Sequence, residues 1–442
     1  MSVFFGPAKP LYDRTMLYAL DAEESTMQQP YAELSSAARK EDVQYVRDNS
    51  VYTCSVLPST QPDDVFMLDA AYEAQPQLIQ WLRDVYANLG VQFSRHIVYA
   101  PPQQFAAKSA ELLKARPDLQ TVASICYSYN AQRAFPDEQH LAASIRVNAK
   151  TTLTNLAKQY GFAIPRSFVT TVAKAASLYD REFAAHQTSV YVKLDGLGGG
   201  SNVVRAANRA EVVAVAKLYP GNVSCMLQEA VDRSYFETIH IYHITDTAIT
   251  YDGSRATMTH DAAWYGNIFD PRIRLNAKQR AMLDAAARAI QQEGYAAREP
   301  LLVGFDAFMN PEDILITECN ARWLGSTPSE YALRRLGAGV YTSVRAVSTI
   351  DGVAEHELPK FMDWVQAHLF DPRRTTSQPY AVLPLGFSGY VDNGERLVSI
   401  IIVGDFHACA SAIRQAFSSK SFALLDNSAR IYDHVMSKMT QS

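Results

Sequence analysis

The stretch that most constrains this chain is residues 304–329, GFDAFMNPEDILITECNARWLGSTPS. Two apolar runs, 301–309 and 314–317, flank a turn of Asn310, Pro311, Glu312 and Asp313. Apolar runs separated by Pro, Asn and Asp predict a β-hairpin. Asp306 falls in the first strand, and Glu318 and Asn320 close the second. Side chains alternate along a strand, so Glu318 and Asn320 share a face, and pairing about the turn sets Asp306 across from them. Two carboxylates and an amide carbonyl form a hard oxygen set of the kind Mg²⁺ completes with water and phosphate. The plain alternative is a hairpin with solvated acids, since carboxylates at strand ends are common. Arg322, two residues past Asn320, adds a positive charge on the same side. Ser326 or Thr327 then suits a helix N-cap, and Pro328 a first helical residue. A helix N-terminus beside a metal favours an anion. The expected ligands are a nucleotide and a second substrate that bears a carboxylate.

At 442 residues the chain has room for two or three domains. Its 48% hydrophobic and 20% charged shares are those of an ordinary globular protein. A net charge of −5 without a dense Lys/Arg block argues against nucleic acid as a partner. The opening MSVFFGPAKPLYDR lacks the basic and apolar regions of a signal peptide. No run approaches the roughly 18–20 apolar residues of a membrane span. Cys54, Cys126, Cys225, Cys319 and Cys409 are odd in number, far apart and never in a C-x-x-C pair, so neither a disulfide framework nor a zinc site is expected. Cys319, between Glu318 and Asn320, should point to the opposite strand face and into the core. A reducing, cytoplasmic setting follows.

Residues 1–50 show no sustained periodicity and read as surface segments or a cap. Candidate strands at 65–68, 96–99 and 122–126 alternate with helical patterns at 77–89 and 103–115, which predicts a parallel sheet with packed helices. Residues 141–160 read as one helix ended by Gly161, with Lys150 inside it as an ordinary solvated residue. The strand 190–194 then leads through Asp195 and Gly196 to Leu197, Gly198, Gly199, Gly200 and Ser201, and on to a second strand at 203–205. Such a glycine run lets backbone N–H groups turn toward a ligand, although a flexible hairpin explains it equally well. Lys193 stands at its base. It is not a P-loop, for no Gly-Lys-Ser/Thr opens a following helix.

A helical pattern at 211–219 precedes a strand at 224–231. There Gln228, Glu229, Ala230 and Val231 offer groups to an adenine edge, with Glu229 accepting from its amino group. Glu237 on the next strand suits ribose hydroxyls; both acids compete with plain surface roles. Strands at 239–244 and 248–251 follow, then WYGNIFDPRIR at 264–274, which reads as a loop with Arg272 and Arg274 on one side. Residues 278–293 form an amphipathic helix. Residues 350–380 look polar and turn-rich around a helix at 358–368, strands are expected at 381–385, 389–391 and 397–403, and a last helix at 408–417.

In this order Lys150, Lys193 with its glycine-rich lid, Gln228-Glu229-Ala230-Val231, Asp306 and Glu318-x-Asn320-x-Arg322 resemble the ATP-grasp superfamily of carboxylate–amine ligases over about residues 145–340. Asn148-Ala149-Lys150 and the Gly-Ser-Thr-Pro tail are similar to its amino-acid and peptide ligases. The resemblance implies a fold of mixed class, α/β and α+β. A Rossmann-like pre-ATP-grasp domain (1–140) would precede an ATP-grasp domain of two subdomains (141–350, lid about 165–232) and a C-terminal extension (351–442). It implies ATP held by Lys150, Lys193, Gly198, Gly199, Gly200, Ser201, Gln228, Glu229, Ala230, Val231 and Glu237. Mg²⁺, with Mn²⁺ as a substitute, would sit on Asp306, Glu318 and Asn320. The implied reaction joins a small carboxylate, activated as an acylphosphate, to an amine, both most simply amino acids, with release of ADP and phosphate. A homodimer is common among such ligases. One departure stands out: D-alanine-ligase-type members carry an arginine where this chain has Gly304, so Arg322 first, or Arg274, must supply the charge for phosphoryl transfer. The rival readings are a non-catalytic ATP-binding module and an ATP-grasp kinase or carboxylase.

Overall fold

The computed structural model describes residues 15–19, 50–101, 104–121, 138–195, 203–232, 234–260, 263–298, 300–337, 345–373 and 378–440. Three sheets organise them. The first is parallel, in the order His96–Ala100, Val65–Asp69, Met16–Ala19, Gln120–Thr121. Every residue of Val65–Asp69 is buried, as expected of a parallel strand covered on both faces. The helices Pro76–Asn88 and Phe105–Ala115 accompany it. The expected strand at 122–126, and Cys126 with it, lies outside the described residues.

The second sheet is antiparallel, in the order Ser167–Thr171, Ser224–Glu229, Val190–Leu194, Val203–Ala206. The helices Ala175–Glu182 and Arg209–Ala216 close a small core of its own against it. The glycine run 196–200 and Ser201, between two of its strands, also lie outside the described residues.

The third sheet is the scaffold of the site. Its eight antiparallel strands run Ile314–Asn320, Leu301–Met309, Phe236–Ile244, Ile249–His260, Ala263–Phe269, Ala346–Ala354, Glu395–Gly404, Tyr380–Phe387. One face buries its apolar residues under the helix Ala277–Gln292 and the C-terminal helices. The other face meets the first sheet's layer and the helix Thr327–Leu336, through Ile239, Ile241, Phe269, Trp323 and Tyr331. The strand Ala346–Ala354 crosses the expected boundary at residue 350 and carries the sheet onward.

Several expectations are corrected. Within residues 1–50, Met16–Ala19 is an inner strand of the first sheet, with Met16, Leu17 and Tyr18 buried, rather than a surface segment or a cap. The segment 264–274 is not a loop, because Ala263–Phe269 is a central strand. Gly266 is there for close approach rather than for a turn: at φ +149°, a Cβ on it would stand 2.0 Å from the Ser348 carbonyl oxygen. Residues 350–380 likewise open inside a strand, while 389–391 form none. The last helix of the chain, Leu425–Thr440, was not anticipated. Finally, the helix expected at 141–160 is two helices, Glu138–Asn148 and Lys150–Tyr160, broken where Ala149 turns extended at ψ 122°. Asn148 sits at the break, donating to the Ser144 carbonyl at 2.7 Å and accepting from the Ala321 N–H at 2.8 Å.

Candidate active site

That helix break makes Lys150 the first residue of a helix, buried and aimed at the hairpin. Its Nζ lies 3.4 Å from Glu318 Oε1. The expectation of a solvated lysine is therefore wrong. Within the hairpin, Asp306 stands directly opposite Glu318, and Gly304 opposite Asn320. The register then slips, since Ala307 pairs with Ile316, and Thr317 is left as the extra residue of a β-bulge. The bulge frees the Thr317 carbonyl, which accepts from the buried Lys193 Nζ at 3.3 Å. Thr317 Oγ1 donates to the Asp306 carbonyl at 3.1 Å and fixes the slip.

Asn320 Nδ2 donates to Asp306 Oδ2 at 3.0 Å, and Arg322 donates to Asn320 Oδ1 at 2.7 Å. The expected cluster is therefore assembled, with one difference. The Asn320 oxygen is taken up by Arg322, so a cation beside Asp306 gains that oxygen only if the amide turns over.

The electrostatics follow from burying like charges together. Burial, then the facing Glu318, push the Asp306 carboxyl up to about 7, against the pull of Arg322. Burial would raise Glu318 too, but Lys150, then Lys193 and Arg322, override it and hold Glu318 below the usual carboxylate range. Burial pushes the Lys193 ammonium down to about 8, against Glu318. Glu237 is raised by burial, opposed by a hydrogen bond from Thr259 and by Lys193. The arrangement fits a divalent cation. Asp306 Oδ1 is buried and has no hydrogen-bond partner among the described residues. A cation between the two carboxylates would satisfy that oxygen and remove the repulsion.

The expected adenine edge is partly spent on structure. The Ala230 N–H donates to the Ser189 carbonyl at 2.9 Å, and Glu229 pairs with Arg166 at 3.2 Å. Gln228 is buried and donates to Ser167 Oγ at 3.0 Å. Arg274 is not brought to the cluster. It is exposed and donates to the Pro271 carbonyl, in a segment that leads to Asn276 beside the hairpin's turn at Pro311. Arg272 is held by Asp270. Cys319 is core, its thiol pushed far up by burial. Sequence reasoning missed Thr317 and Asp195. Asp195 accepts from Thr151 N at 2.9 Å and Oγ1 at 2.6 Å, and so ties the end of the strand Val190–Leu194 to the helix that Lys150 opens. An acid beside a glycine run was the available signal.

No protein-family model matches the sequence, and no curated protein sequence does. Solved structures do match in fold. Biotin carboxylase from Campylobacter jejuni, as a β,γ-ATP complex, is 10% identical and superposes with a TM-score of 0.53 over 92% of this chain and 91% of its own. The biotin carboxylase domain of 2-oxoglutarate carboxylase from Hydrogenobacter thermophilus, with ADP, magnesium-ADP and bicarbonate, is 12% identical, with a TM-score of 0.52 over 91% and 89%. N5-carboxyaminoimidazole synthetase from Staphylococcus aureus, with ADP, is 10% identical, with a TM-score of 0.52 over 86% and 95%. The chain has the ATP-grasp fold, as the order of its motifs implied.

Proposed function

We propose that this chain is an ATP-dependent carboxylate–amine ligase, with amino acids as the simplest pair of substrates. The observation that carries the reading is the directly opposed Asp306–Glu318 pair, with an Asp306 oxygen that has no hydrogen-bond partner among the described residues, beside Lys150, Lys193 and Arg322. A non-catalytic ATP module does not need a buried carboxylate pair that repels itself. Shared fold with enzymes crystallised with ADP supports the nucleotide.

In this reading Lys150 and Lys193 hold the α- and β-phosphates, with Gln228, Glu229, Ala230 and Val231 along the adenine and Glu237 at the ribose. Glu229 and Ala230 would act there through their backbone carbonyls. Gly198, Gly199, Gly200 and Ser201 would cover the phosphates and exclude water. Asp306 and Glu318, with Asn320 after its amide turns, would hold Mg²⁺, which offsets the charge that develops on the phosphates. Phosphoryl transfer is chiefly positioning and charge neutralisation. A carboxylate oxygen of the acid bonds to the γ-phosphorus as the bond to the bridging oxygen of ADP breaks. Arg322 stabilises the charge of that step. The amine nitrogen then bonds to the acyl carbon, phosphate leaves, and the amine's surplus proton goes to solvent. The units 1–140, 141–350 and 351–442 would supply, in turn, a covering layer, the reaction site and the continuation of its sheet.

The test is ADP release with pairs of amino acids, and with bicarbonate included as an acid. Release that requires both an acid and an amine, and is abolished in Glu318→Ala, is expected. Wild-type turnover in that variant would overturn the assignment.

A further inference from the structure

The helix Leu425–Thr440 lies on the back of the large sheet, on the face away from the carboxylate pair. Its Ile431, Tyr432 and Val435 share a core with Phe236, Ala256, Met258 and Ile268, and Met436 and Met439 pack against that core. Alternation along the strand Phe236–Ile244 turns Phe236 toward the helix and Glu237 toward the site. The last turn of the helix still reaches the rim of the site, where Lys438 Nζ donates to the Tyr235 carbonyl at 2.7 Å.

Lys438 grips a strand end that the sheet itself holds on one side. The ladder between Phe236–Ile244 and Ile249–His260 ends at the pair Thr238 and Ala256. Beyond it, Phe236 and Glu237 pair only with Met309 and Phe308 among the described residues. The turn before them is closed within itself. There the Tyr235 N–H donates to the Asp232 carbonyl at 3.2 Å, and the Ser234 N–H to Asp232 Oδ1 at 2.8 Å. Two side chains tie this end to the rest of the fold: Thr259, which donates to Glu237, and Lys438, which donates to Tyr235.

The gripped carbonyl stands at a junction. The strand Ser224–Glu229 and the proposed adenine edge precede it, and Glu237 follows two residues on. A shift at Tyr235 carries Glu237 with it, since the two lie on the same face of the strand. The ammonium is also near enough to act on that acid. Burial raises the Glu237 carboxyl, and Thr259, then Lys193, then Lys438 pull against the rise. A carboxylate already fixed in direction loses less freedom when it accepts from two neighbouring hydroxyls.

We infer that Lys438 is a positioning residue of the nucleotide site, through which the helix Leu425–Thr440 holds the start of the strand Phe236–Ile244 so that Glu237 meets the two ribose hydroxyls; the inference rests on the ligase reading above. It gives the unit 351–442 a part in the site beyond the continuation of its sheet. Lys438 touches neither the nucleotide nor a substrate in this role. Its effect passes through the Tyr235 backbone to Glu237 and is confined to the sugar.

A nucleotide without the two hydroxyls separates this role from a merely structural one. The probes are ADP and 2′,3′-dideoxy-ADP, each with Mg²⁺, and the measurement is calorimetric affinity. The variants are Lys438→Met, which removes donor and charge at similar length, Lys438→Arg, which keeps both, and Glu237→Gln alone and with Lys438→Met. Far-UV circular dichroism checks that each is folded. Wild type should bind ADP more tightly than the dideoxy form. Lys438→Met should lose ADP affinity by about fivefold or more, part of the roughly 10–100-fold scale of a direct charged hydrogen bond. Its affinity for the dideoxy form should stay within about twofold of wild type, and Lys438→Arg should keep ADP affinity on the same scale. In the Glu237→Gln background, Lys438→Met should add no further loss, because the two residues act through one contact. An equal loss for both nucleotides, an unchanged ADP affinity in Lys438→Met, or an undiminished loss in the Glu237→Gln background overturns the inference and leaves the ligase standing. A wild type that does not distinguish the two nucleotides removes Glu237 from the ribose and the inference with it. A wild type that binds neither removes the ligase reading as well.

Discussion

Asp351 offers a stability prediction whose size comes from the structure. It is a buried acid in the strand Ala346–Ala354, and it accepts from the Gly352 N–H at 2.8 Å and the Leu424 N–H at 3.2 Å. It thereby pins the turn that leads into the helix Leu425–Thr440. Burial pushes its carboxyl up from the usual 3.8 to about 7, with Glu395 adding to the rise. The folded chain therefore binds this proton more tightly than the unfolded chain does. Below about pH 4 both states are protonated and there is no penalty. Between pH 4 and 7 stability falls, and above pH 7 the full cost is present. Three units correspond to about 4 kcal/mol at 1.36 kcal/mol per unit. A melting entropy of about 2.1 cal/mol/K per residue turns that into a shift of ~4 °C for a chain this long. Asp351→Asn keeps an acceptor for the turn and cannot ionise. Melting followed by circular dichroism at pH 4.5 and pH 8 should show the variant gaining about 4 °C on wild type at the higher pH compared with the lower. Equal pH dependence in the two proteins would refute the reasoning.

Three more outcomes are expected. Gly266→Ala forces a Cβ into the Ser348 carbonyl at a positive φ, and should cost about 3 kcal/mol or more, read as a lower melting temperature or loss of soluble protein. Asn148→Ala removes the side chain that holds the helix break to Ala321, and should cost about 1–2 kcal/mol in thermal melting. Because the break aims Lys150, the same variant should also weaken ADP binding by calorimetry. Lys193→Met removes a buried cation from the proposed phosphate site and should lower ADP affinity by about 10–100-fold, the scale of a charged hydrogen bond; unchanged affinity would remove Lys193 from that role.

The hairpin and its acids were legible because they are close in sequence, and because a turn of Asn, Pro and Asp dictates which residues face each other. The alternation of apolar runs and helical patterns announced the parallel first sheet for the same local reason. What escaped depends on partners far away in the chain. Gly266 and Asn267 look like loop residues until a neighbouring strand is seen to press against them. The break at Ala149 depends on the backbone of Ala321. The bulge at Thr317 has no mark in its own residue type, yet it presents the carbonyl that accepts from Lys193.

The central claim is that Asp306 and Glu318 bind a divalent cation together with the nucleotide. The most direct measurement is calorimetric ADP affinity with and without Mg²⁺, in wild type and in Glu318→Gln. The account predicts that Mg²⁺ tightens ADP binding at least tenfold in wild type and hardly at all in the variant. A gain from Mg²⁺ that is equal in the two proteins would contradict it.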